Sequence, residues 1–145
     1  MPDRQSFAKQ NRKRNSSGDG IERAYAYLQR NFRRTPALPE IADVAGVSRF
    51  HFHRLFRQRF GKTPKRVITE LQVAEVQRLA RGGMSLGEAA RAAGFVHQSH
   101  MTLRFKQVVG QTPLRWLKAA RAAGGALLVG VAAGANQLIA FALTG

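Results

Sequence analysis

AGVSRFHFHRLFRQRFGKTP, at residues 45–64, decides the fold, because a second version of it, AGFVHQSHMTLRFKQVVGQTP, occupies residues 93–113. The closing Gly-x-Thr-Pro segments lie 49 residues apart, whereas the Ala-Gly pairs that open the two stretches lie 48 residues apart. One residue is therefore inserted after the second Ala-Gly pair. A repeat of this length indicates two copies of one supersecondary unit rather than a single chance match.

The first copy has the pattern of a short helix, a tight turn and a longer helix. Pro39 suits the first turn of the short helix, which is predicted to run to about Ala45. Gly46 begins the turn, and the hydroxyl of Ser48 can cap the next helix. The longer helix carries apolar residues at helical spacing, namely Phe52, Leu55, Phe56 and Phe60. This pattern predicts a helix-turn-helix unit over residues 38–60.

The second copy repeats this plan after a long helix. The linker helix is predicted over residues 64–81, and a Gly-Gly pair ends it. Ser85 then opens a Ser-x-x-Glu capping box, and Gly94 makes the turn. The following helix has an apolar face formed by Met101, Phe105 and Val108. A second helix-turn-helix unit is therefore predicted over residues 86–109.

The charge balance limits the functions that this chain can perform. Its 145 residues include 24 Lys and Arg against 8 Asp and Glu, a formal net charge of +16. A field of this sign attracts polyanions, so nucleic acid, an anionic membrane surface or an acidic protein is the expected partner. The chain has no cysteine, which excludes disulfides, thiolate zinc sites and cysteine nucleophiles.

The segments that flank the repeat differ in character. Residues 1–18 contain five basic side chains and few apolar ones, a composition typical of a disordered basic arm. A helix with Asp19 as its N-cap is predicted from there to Phe32. Residues 119–145 are predicted to form an apolar tail, in which the last 24 residues carry no charge. A packed apolar helix or a disordered tail is favoured for this segment, and a membrane anchor is the alternative.

The residues of both copies match one known pattern. In the first copy the match is the run from Ser48 to Arg57 followed by Gly-x-Thr-Pro; in the second it is Gly94-Phe95, Gln98-Ser99-His100, Phe105-Lys106 and the second Gly-x-Thr-Pro. These motifs resemble the AraC/XylS-type DNA-binding domain over residues 19–118. The resemblance implies an all-α fold of about seven helices, with two helix-turn-helix subdomains joined by one long helix, and sequence-specific transcriptional control. Leu103 departs from the family pattern, since many members carry Arg there.

The outward faces of the two longer helices hold the residues predicted to read bases. The N-terminal part of a recognition helix enters the major groove, where Arg can pair with guanine and Gln with adenine. The candidates are Arg49, Phe50, His53 and Arg54 in the first copy, and His97, Gln98, Ser99 and Thr102 in the second. Phe50 has two interpretations, contact with a thymine methyl group or packing in the core. The alternatives for the others are phosphate contact or a solvated face.

A second set of side chains is expected to contact phosphates without reading bases. These candidates are Arg57, Lys62, Lys65, Arg66, Arg104, Lys106 and Thr112. The four histidines lack the partners of a metal site, and no nucleophile–base pair, acid pair or phosphate-cradling loop is evident. We therefore expect no metal, no cofactor and no enzymatic activity.

The sequence thus predicts an all-α regulator that binds double-stranded DNA with two recognition helices in successive major-groove segments. The linker helix of 18 residues would be about 27 Å long, which with its flanking turns suits readers about 34 Å apart. A monomer is therefore expected on DNA, with RNA polymerase as a further candidate partner and the cytoplasmic nucleoid as the location. The alternative is a basic module that binds nucleic acid or membrane surfaces without sequence preference, tethered to a membrane by its C-terminal tail.

Overall fold

Prolines, glycines and short polar side chains set most of the helix boundaries. The computed structural model describes the backbone of residues 4–123 and the side chains of residues 18–123. Over that range the chain forms seven α-helices and one 3-10 helix, and no strand. They are α1 (Arg4–Asn31), the 3-10 helix (Phe32–Arg34), α2 (Leu38–Ala45), α3 (Arg49–Phe60), α4 (Pro64–Arg81), α5 (Leu86–Ala92), α6 (Gln98–Val109) and α7 (Pro113–Ala122). The predicted all-α fold with two helix-turn-helix subdomains is confirmed.

The first helix is longer than the sequence pattern predicts. Because α1 begins at Arg4, Asp19 lies inside the helix, and the prediction that it forms the N-cap is wrong. The structure also corrects the expected disordered arm, since the backbone of residues 4–18 is helical. The physical reason is composition, because this segment is rich in Arg, Lys and Gln, which have favourable helix propensities.

The first unit is built from α1, α2, α3 and the start of α4. Its core consists of apolar side chains from the facing sides of these helices, namely Ile21, Ala24, Tyr25, Leu28, Ile41, Ala42, Ala45, Phe52 and Phe56. The backbones of α1 and α2 approach closely, since a Cβ at Gly20 would overlap the carbonyl oxygen of Ala45. The ring of Tyr25 stacks on Phe60 with centroids 4.7 Å apart, which holds the end of α3 against α1.

Within the described residues, the second unit comprises Phe32–Thr35 and residues 67–123. Its core joins α4, α5, α6 and α7 through residues that include Val73, Val76, Ala89, Ala90, Phe95, Met101, Phe105, Val108, Trp116 and Leu117. Phe105 and Trp116 meet edge to face, with ring centroids 5.7 Å apart. Each unit therefore contains one helix-turn-helix and a hydrophobic core of its own.

The short segment Phe32–Thr35 is fixed to the second unit by polar contacts. The amide nitrogen of Gln72 donates to the Phe32 carbonyl at 3.4 Å and to Thr35 Oγ1 at 3.2 Å. Gly94 has a left-handed φ of 102°, and a Cβ at this position would overlap the carbonyl oxygen of Arg33. Glycine is thus required here for two reasons, its backbone conformation and the close approach of another chain segment.

The linker helix α4 buries polar as well as apolar residues. Its buried polar side chains are Glu70, Gln72, Glu75 and Gln77. Glu75 Oε1 lies 2.7 Å from guanidinium nitrogens of both Arg33 and Arg78. These bonds, with Arg78 the stronger contributor, lower the pKa of Glu75 although burial opposes the shift. The hydrophobic pattern did not predict this network.

The apolar tail predicted over residues 119–145 lies mostly outside the described part of the chain. Its first residues, up to Ala122, belong to α7. Among the helices of residues 4–123, none is long and apolar enough to cross a membrane.

Candidate nucleic-acid interface

Ser48 and Gly61 define the two ends of α3. The Ser48 hydroxyl oxygen accepts a hydrogen bond from the His51 N–H at 3.3 Å, which confirms the predicted N-cap. Gly61 ends the helix with a left-handed φ of 69°. Between these ends Phe52 and Phe56 are buried, with ring centroids 5.5 Å apart. Residues four positions apart share one face of a helix, so this buried pair turns the opposite face of α3 to solvent.

The outward face of α3 carries the residues predicted to read bases. Arg49, Phe50 and Arg54 are exposed, and His53 is half-buried. Phe50 is 87% exposed, so its interpretation as a core residue is wrong. Arg54 Nη2 lies 3.1 Å from His51 Nδ1, a contact within α3 that restricts the guanidinium. The structure therefore brings the four candidates of the first copy together on one surface.

Ion pairing divides the arginines of α3 into two groups. Arg59 forms a surface ion pair with Glu22 of α1 at 2.9 Å, which ties its guanidinium to another helix of the first unit. Among the side chains of residues 18–123, no carboxylate pairs with Arg49, Arg54 or Arg57. These three positive charges are available to an external anion, whereas the charge of Arg59 is already compensated.

The recognition helix of the second unit, α6, has the same length and buried register as α3. Both helices have 12 residues. Met101 and Phe105 are buried and lie 49 positions after Phe52 and Phe56. His97 is the N-cap of α6 by backbone geometry, but its side chain makes no capping hydrogen bond. The outward positions of the two helices therefore correspond at the same offset.

The predicted readers of the second copy lie around the N-terminal end of α6. His97, Gln98 and Ser99 are exposed, and Thr102 is half-buried. The hydroxyl of Thr102 donates to the carbonyl oxygen of Gln98 at 3.0 Å. A Cβ on Gly87 would lie 3.2 Å from Gln98 Oε1, so the Gln98 amide rests against α5. The structure brings these candidates together and holds two of them by local contacts.

The C-terminal half of α6 combines an exposed apolar residue with basic side chains. Leu103 is 54% exposed, at the position where the family pattern carries Arg. Arg104 is half-buried and donates to His100 Nε2 at 3.3 Å and to Gln107 Oε1 at 3.1 Å. Lys106 is exposed. Because neither His100 nor Gln107 is acidic, the charge of Arg104 can still attract a phosphate.

The residue inserted in the second copy lies in the turn before α6. Three residues separate α2 from α3, whereas five separate α5 from α6, because one residue is inserted and α5 also ends one position earlier in the repeat, at Ala92. Gly46 and Gly94 both take left-handed conformations, with φ of 72° and 102°. Val96, in the longer turn, is 82% exposed. The insertion therefore lengthens the turn while the two helices keep the same buried register.

The remaining phosphate candidates lie near two helix starts. Lys62 and Arg66 are half-buried, and Lys65 is exposed, all at the junction of α3 and α4. The Thr112 hydroxyl oxygen accepts the Arg115 N–H at 3.3 Å, so Thr112 is the N-cap of α7. Capping occupies one lone pair of this hydroxyl, and its hydrogen can still donate to a phosphate.

The histidines do not form a metal cluster with acidic side chains in the described structure. His51 and His100 each contact an arginine of their own helix. Within residues 18–123 no group of three His, Asp or Glu side chains could hold a metal ion.

The family of this chain follows from two similarities. Residues 41–119, more than half of the chain, match the profile of a helix-turn-helix domain family. The fold is similar to a crystal structure from Chromobacterium violaceum described as a transcriptional regulator with an AraC-type DNA-binding domain, with a TM-score of 0.65 and 27% identity over 73% of this chain and 95% of the other. The chain belongs to the AraC-type helix-turn-helix family. The resemblance to this family that was drawn from the sequence is therefore confirmed.

One further relative of this AraC-type domain has been solved in complex with DNA. The DNA-binding domain of AdpA, a global transcriptional factor solved with a target DNA, is 25% identical, with a TM-score of 0.66 over 71% of this chain and 94% of that one. The transcriptional activator RhaS of Pectobacterium carotovorum is 27% identical over 99 residues, 68% of this chain and 36% of that protein. The bifunctional transcriptional activator/DNA repair enzyme AdaA of Bacillus subtilis is 29% identical over 91 residues, 62% of this chain and 43% of that protein. The chain thus spans less than half of these two curated relatives.

Sequence reasoning missed two features of this AraC-type interface. It did not separate Arg59 from the other arginines of α3, because the pairing with Glu22 joins residues 37 positions apart. It also gave no role to Gly87, which leaves room for the Gln98 side chain. A glycine inside a short helix is a usable signal, since glycine is unfavourable there unless something approaches closely.

Proposed function

We propose that this AraC-type domain binds double-stranded DNA in a sequence-specific manner, with α3 and α6 inserted into successive segments of the major groove. The observation that carries the proposal is the outward face of α3. In its first two turns it presents Arg49, Phe50 and Arg54 to solvent, and no carboxylate among residues 18–123 neutralises the two arginines. An exposed, uncompensated face of this kind has no evident role in stabilising the unit itself.

The side chains of α3 suit direct readout of base edges. A guanidinium can bond guanine O6 and N7 together, a contact worth about 1–3 kcal/mol of discrimination against the wrong base. We assign this role to Arg49 and Arg54, with His53 as a neighbouring donor or acceptor. The exposed ring of Phe50 suits a thymine methyl group. In α6 the corresponding candidates are His97, Gln98, Ser99 and Thr102.

The other basic residues suit contact with phosphates, which gives affinity without sequence preference. Arg57, Arg104 and Lys106 lie further along the recognition helices, and Lys62, Lys65 and Arg66 lie at the start of α4. Each phosphate neutralised contributes a slope of about −0.9 to the dependence of log affinity on log salt. Thr112, as the cap of α7, is assigned to the same group.

The proposed complex contains one protein chain and one DNA duplex. Two readers in one chain make a second copy unnecessary for contact with two groove segments. Contact with RNA polymerase and action at the nucleoid in the cytoplasm belong to the same proposal. The proposal includes no catalytic step.

A binding selection on random duplex DNA, followed by competition at physiological salt, tests this function. The expected result is an enriched, non-palindromic motif in two segments. Arg54→Ala should relax the preference at one base pair by about 1–3 kcal/mol. Arg59→Ala, on the same helix but paired with Glu22, is the matched control and should leave the motif unchanged.

The alternative function is a basic module that binds polyanions without sequence preference. It predicts that no motif is enriched and that Arg54→Ala and Lys65→Ala weaken all duplexes alike. Either result would refute the proposed function.

A further inference from the structure

The two recognition helices present different chemistry at corresponding positions. The two helices have equal lengths and bury residues at equivalent positions. Residues 49 positions apart therefore occupy equivalent places in the two helices, and do not merely align in the sequence repeat. At this offset Arg49 corresponds to Gln98, and Arg54 corresponds to Leu103. The two uncompensated cations that face outward in the first two turns of α3 are thus replaced in α6 by an amide and an alkyl group.

The loss of both cations removes the strongest contacts to guanine. Residues 98–103 of α6 contain no Lys, Arg, Asp or Glu, whereas bidentate pairing with guanine O6 and N7 uses Arg or Lys. Leu103, which is 54% exposed, has no donor or acceptor in its side chain. The one apolar group on a base edge of the major groove is the C5-methyl of thymine. Burial of Leu103 against that methyl removes apolar surface from water on both sides.

Local contacts favour the same class of base. The hydroxyl hydrogen of Thr102 is donated to the Gln98 carbonyl, which leaves the methyl group and the two lone pairs of this side chain for an external partner. The Gln98 amide lies beside Gly87 of α5, where a Cβ would come within 3.2 Å of Gln98 Oε1, so the amide occupies room that only glycine leaves open. A glutamine amide held at a groove can accept from adenine N6 and donate to adenine N7.

We propose that α6 reads a segment of A·T pairs, in which Gln98 pairs with an adenine and Leu103, with the Thr102 methyl, contacts thymine methyl groups. Gly87 is a positioning residue, because its missing Cβ leaves the room beside α5 that the Gln98 amide occupies. The segment under α3 contains guanine instead, so the two halves of the site differ in base class. This inference rests on the proposed function, that α6 enters the major groove.

The test removes single methyl groups from the DNA. A motif is first selected with the wild-type domain, and the α6 segment is identified as the half whose preference changes in Gln98→Ala but not in Arg54→Ala. Each thymine of that segment is then replaced by deoxyuridine, which lacks only the C5-methyl. We expect about a fourfold loss of affinity at one or two positions, the value of one buried methyl group. In Leu103→Ala the loss should disappear at the position that Leu103 contacts, while any loss at a thymine contacted by the Thr102 methyl remains.

A gain-of-function variant tests the correspondence between the helices. Leu103→Arg restores the cation found at Arg54, so the preference within the α6 segment should move towards guanine. Leu103 is exposed, so neither Leu103→Ala nor Leu103→Arg removes a core contact. Circular dichroism is the check that both variants fold. Gly87→Ala should weaken adenine preference at the Gln98 position while non-specific affinity stays unchanged, and should add nothing to Gln98→Ala.

The outcomes separate this inference from the proposed function. If selection yields a motif with guanine in the α6 segment, or if deoxyuridine is neutral there for the wild type, the inference is wrong while sequence-specific binding stands. If no motif is enriched in either half, the proposed function itself fails. An additive effect of Gly87→Ala and Gln98→Ala would refute the positioning role.

Discussion

Gly94 gives the sharpest test of how the second helix-turn-helix is held, because a matched glycine lies in the same unit. Gly94 and Gly83 both have φ of 102°. Open space surrounds the Cβ position at Gly83, whereas a Cβ at Gly94 would overlap the carbonyl oxygen of Arg33. The left-handed backbone costs a non-glycine residue about 1–2 kcal/mol, so Gly83→Ala should lose about that much. Gly94→Ala should lower the unfolding free energy by about 1–3 kcal/mol more than Gly83→Ala does, which is the usual cost of overpacking.

Urea unfolding measures this difference directly. Trp116 is the single tryptophan of the chain and lies buried in the second unit, so its fluorescence reports the unit that contains both glycines. Asn tolerates positive φ better than Ala. Gly83→Asn should therefore recover part of the loss of Gly83→Ala, while Gly94→Asn should not, because the overlap persists. Equal losses for the two alanine variants would refute the reasoning, since Arg33 would then not restrict this turn.

Three further predictions concern α4 and the phosphate contacts. Glu75→Gln should cost about 1–2 kcal/mol at neutral pH, since Arg33 and Arg78 are half-exposed partners. The lowered pKa of Glu75 determines the sign of the pH dependence. The difference in unfolding free energy between wild type and Glu75→Gln is complete above pH 4.5, the ordinary pKa of this carboxyl. It disappears as the pH falls through the lowered pKa of the folded state. A difference that persists in acid would contradict the charge network. Gln77 is fully buried and its amide has no hydrogen-bond partner among the described residues, so Gln77→Met should raise the unfolding free energy by about 1 kcal/mol; a loss of that size would show that the amide is satisfied. Lys65→Ala should reduce the salt slope of DNA binding by about 0.9 without changing the selected motif, and a changed motif would make Lys65 a reader.

The helix boundaries were predictable because they depend on local chemistry. Ser48 and Ser85 cap their helices as the sequence indicates, since a cap involves residues only three positions apart. The start of α1 was not predictable in the same way. Its first turns carry a composition that is typical both of disordered arms and of solvated helices, and charge alone does not distinguish the two.

Contacts between distant residues explain most of what the sequence did not predict. Glu75 carries no distinguishing signal in the sequence, because its partner Arg33 lies 42 positions away. Arg59 and Arg57 are equivalent in the sequence pattern, and only the contact with Glu22 distinguishes them. Phe50 could not be assigned from spacing, because a helix with Phe at three nearby positions does not show which ring is buried. The structure buries Phe52 and Phe56 and leaves Phe50 exposed.

The repeat itself separates the requirements of folding from those of recognition. The positions that both copies share are the glycine turns, the Thr-Pro starts and the buried residues at equivalent sites of α3 and α6. The positions at which the copies differ most in charge are the outward ones, where Arg49 and Arg54 correspond to Gln98 and Leu103. Packing requires only an apolar residue of suitable volume, so it places no demand on these exposed sites. Their divergence therefore leaves the fold unchanged, and under the proposed function it is what would let two copies of one unit read two different DNA segments.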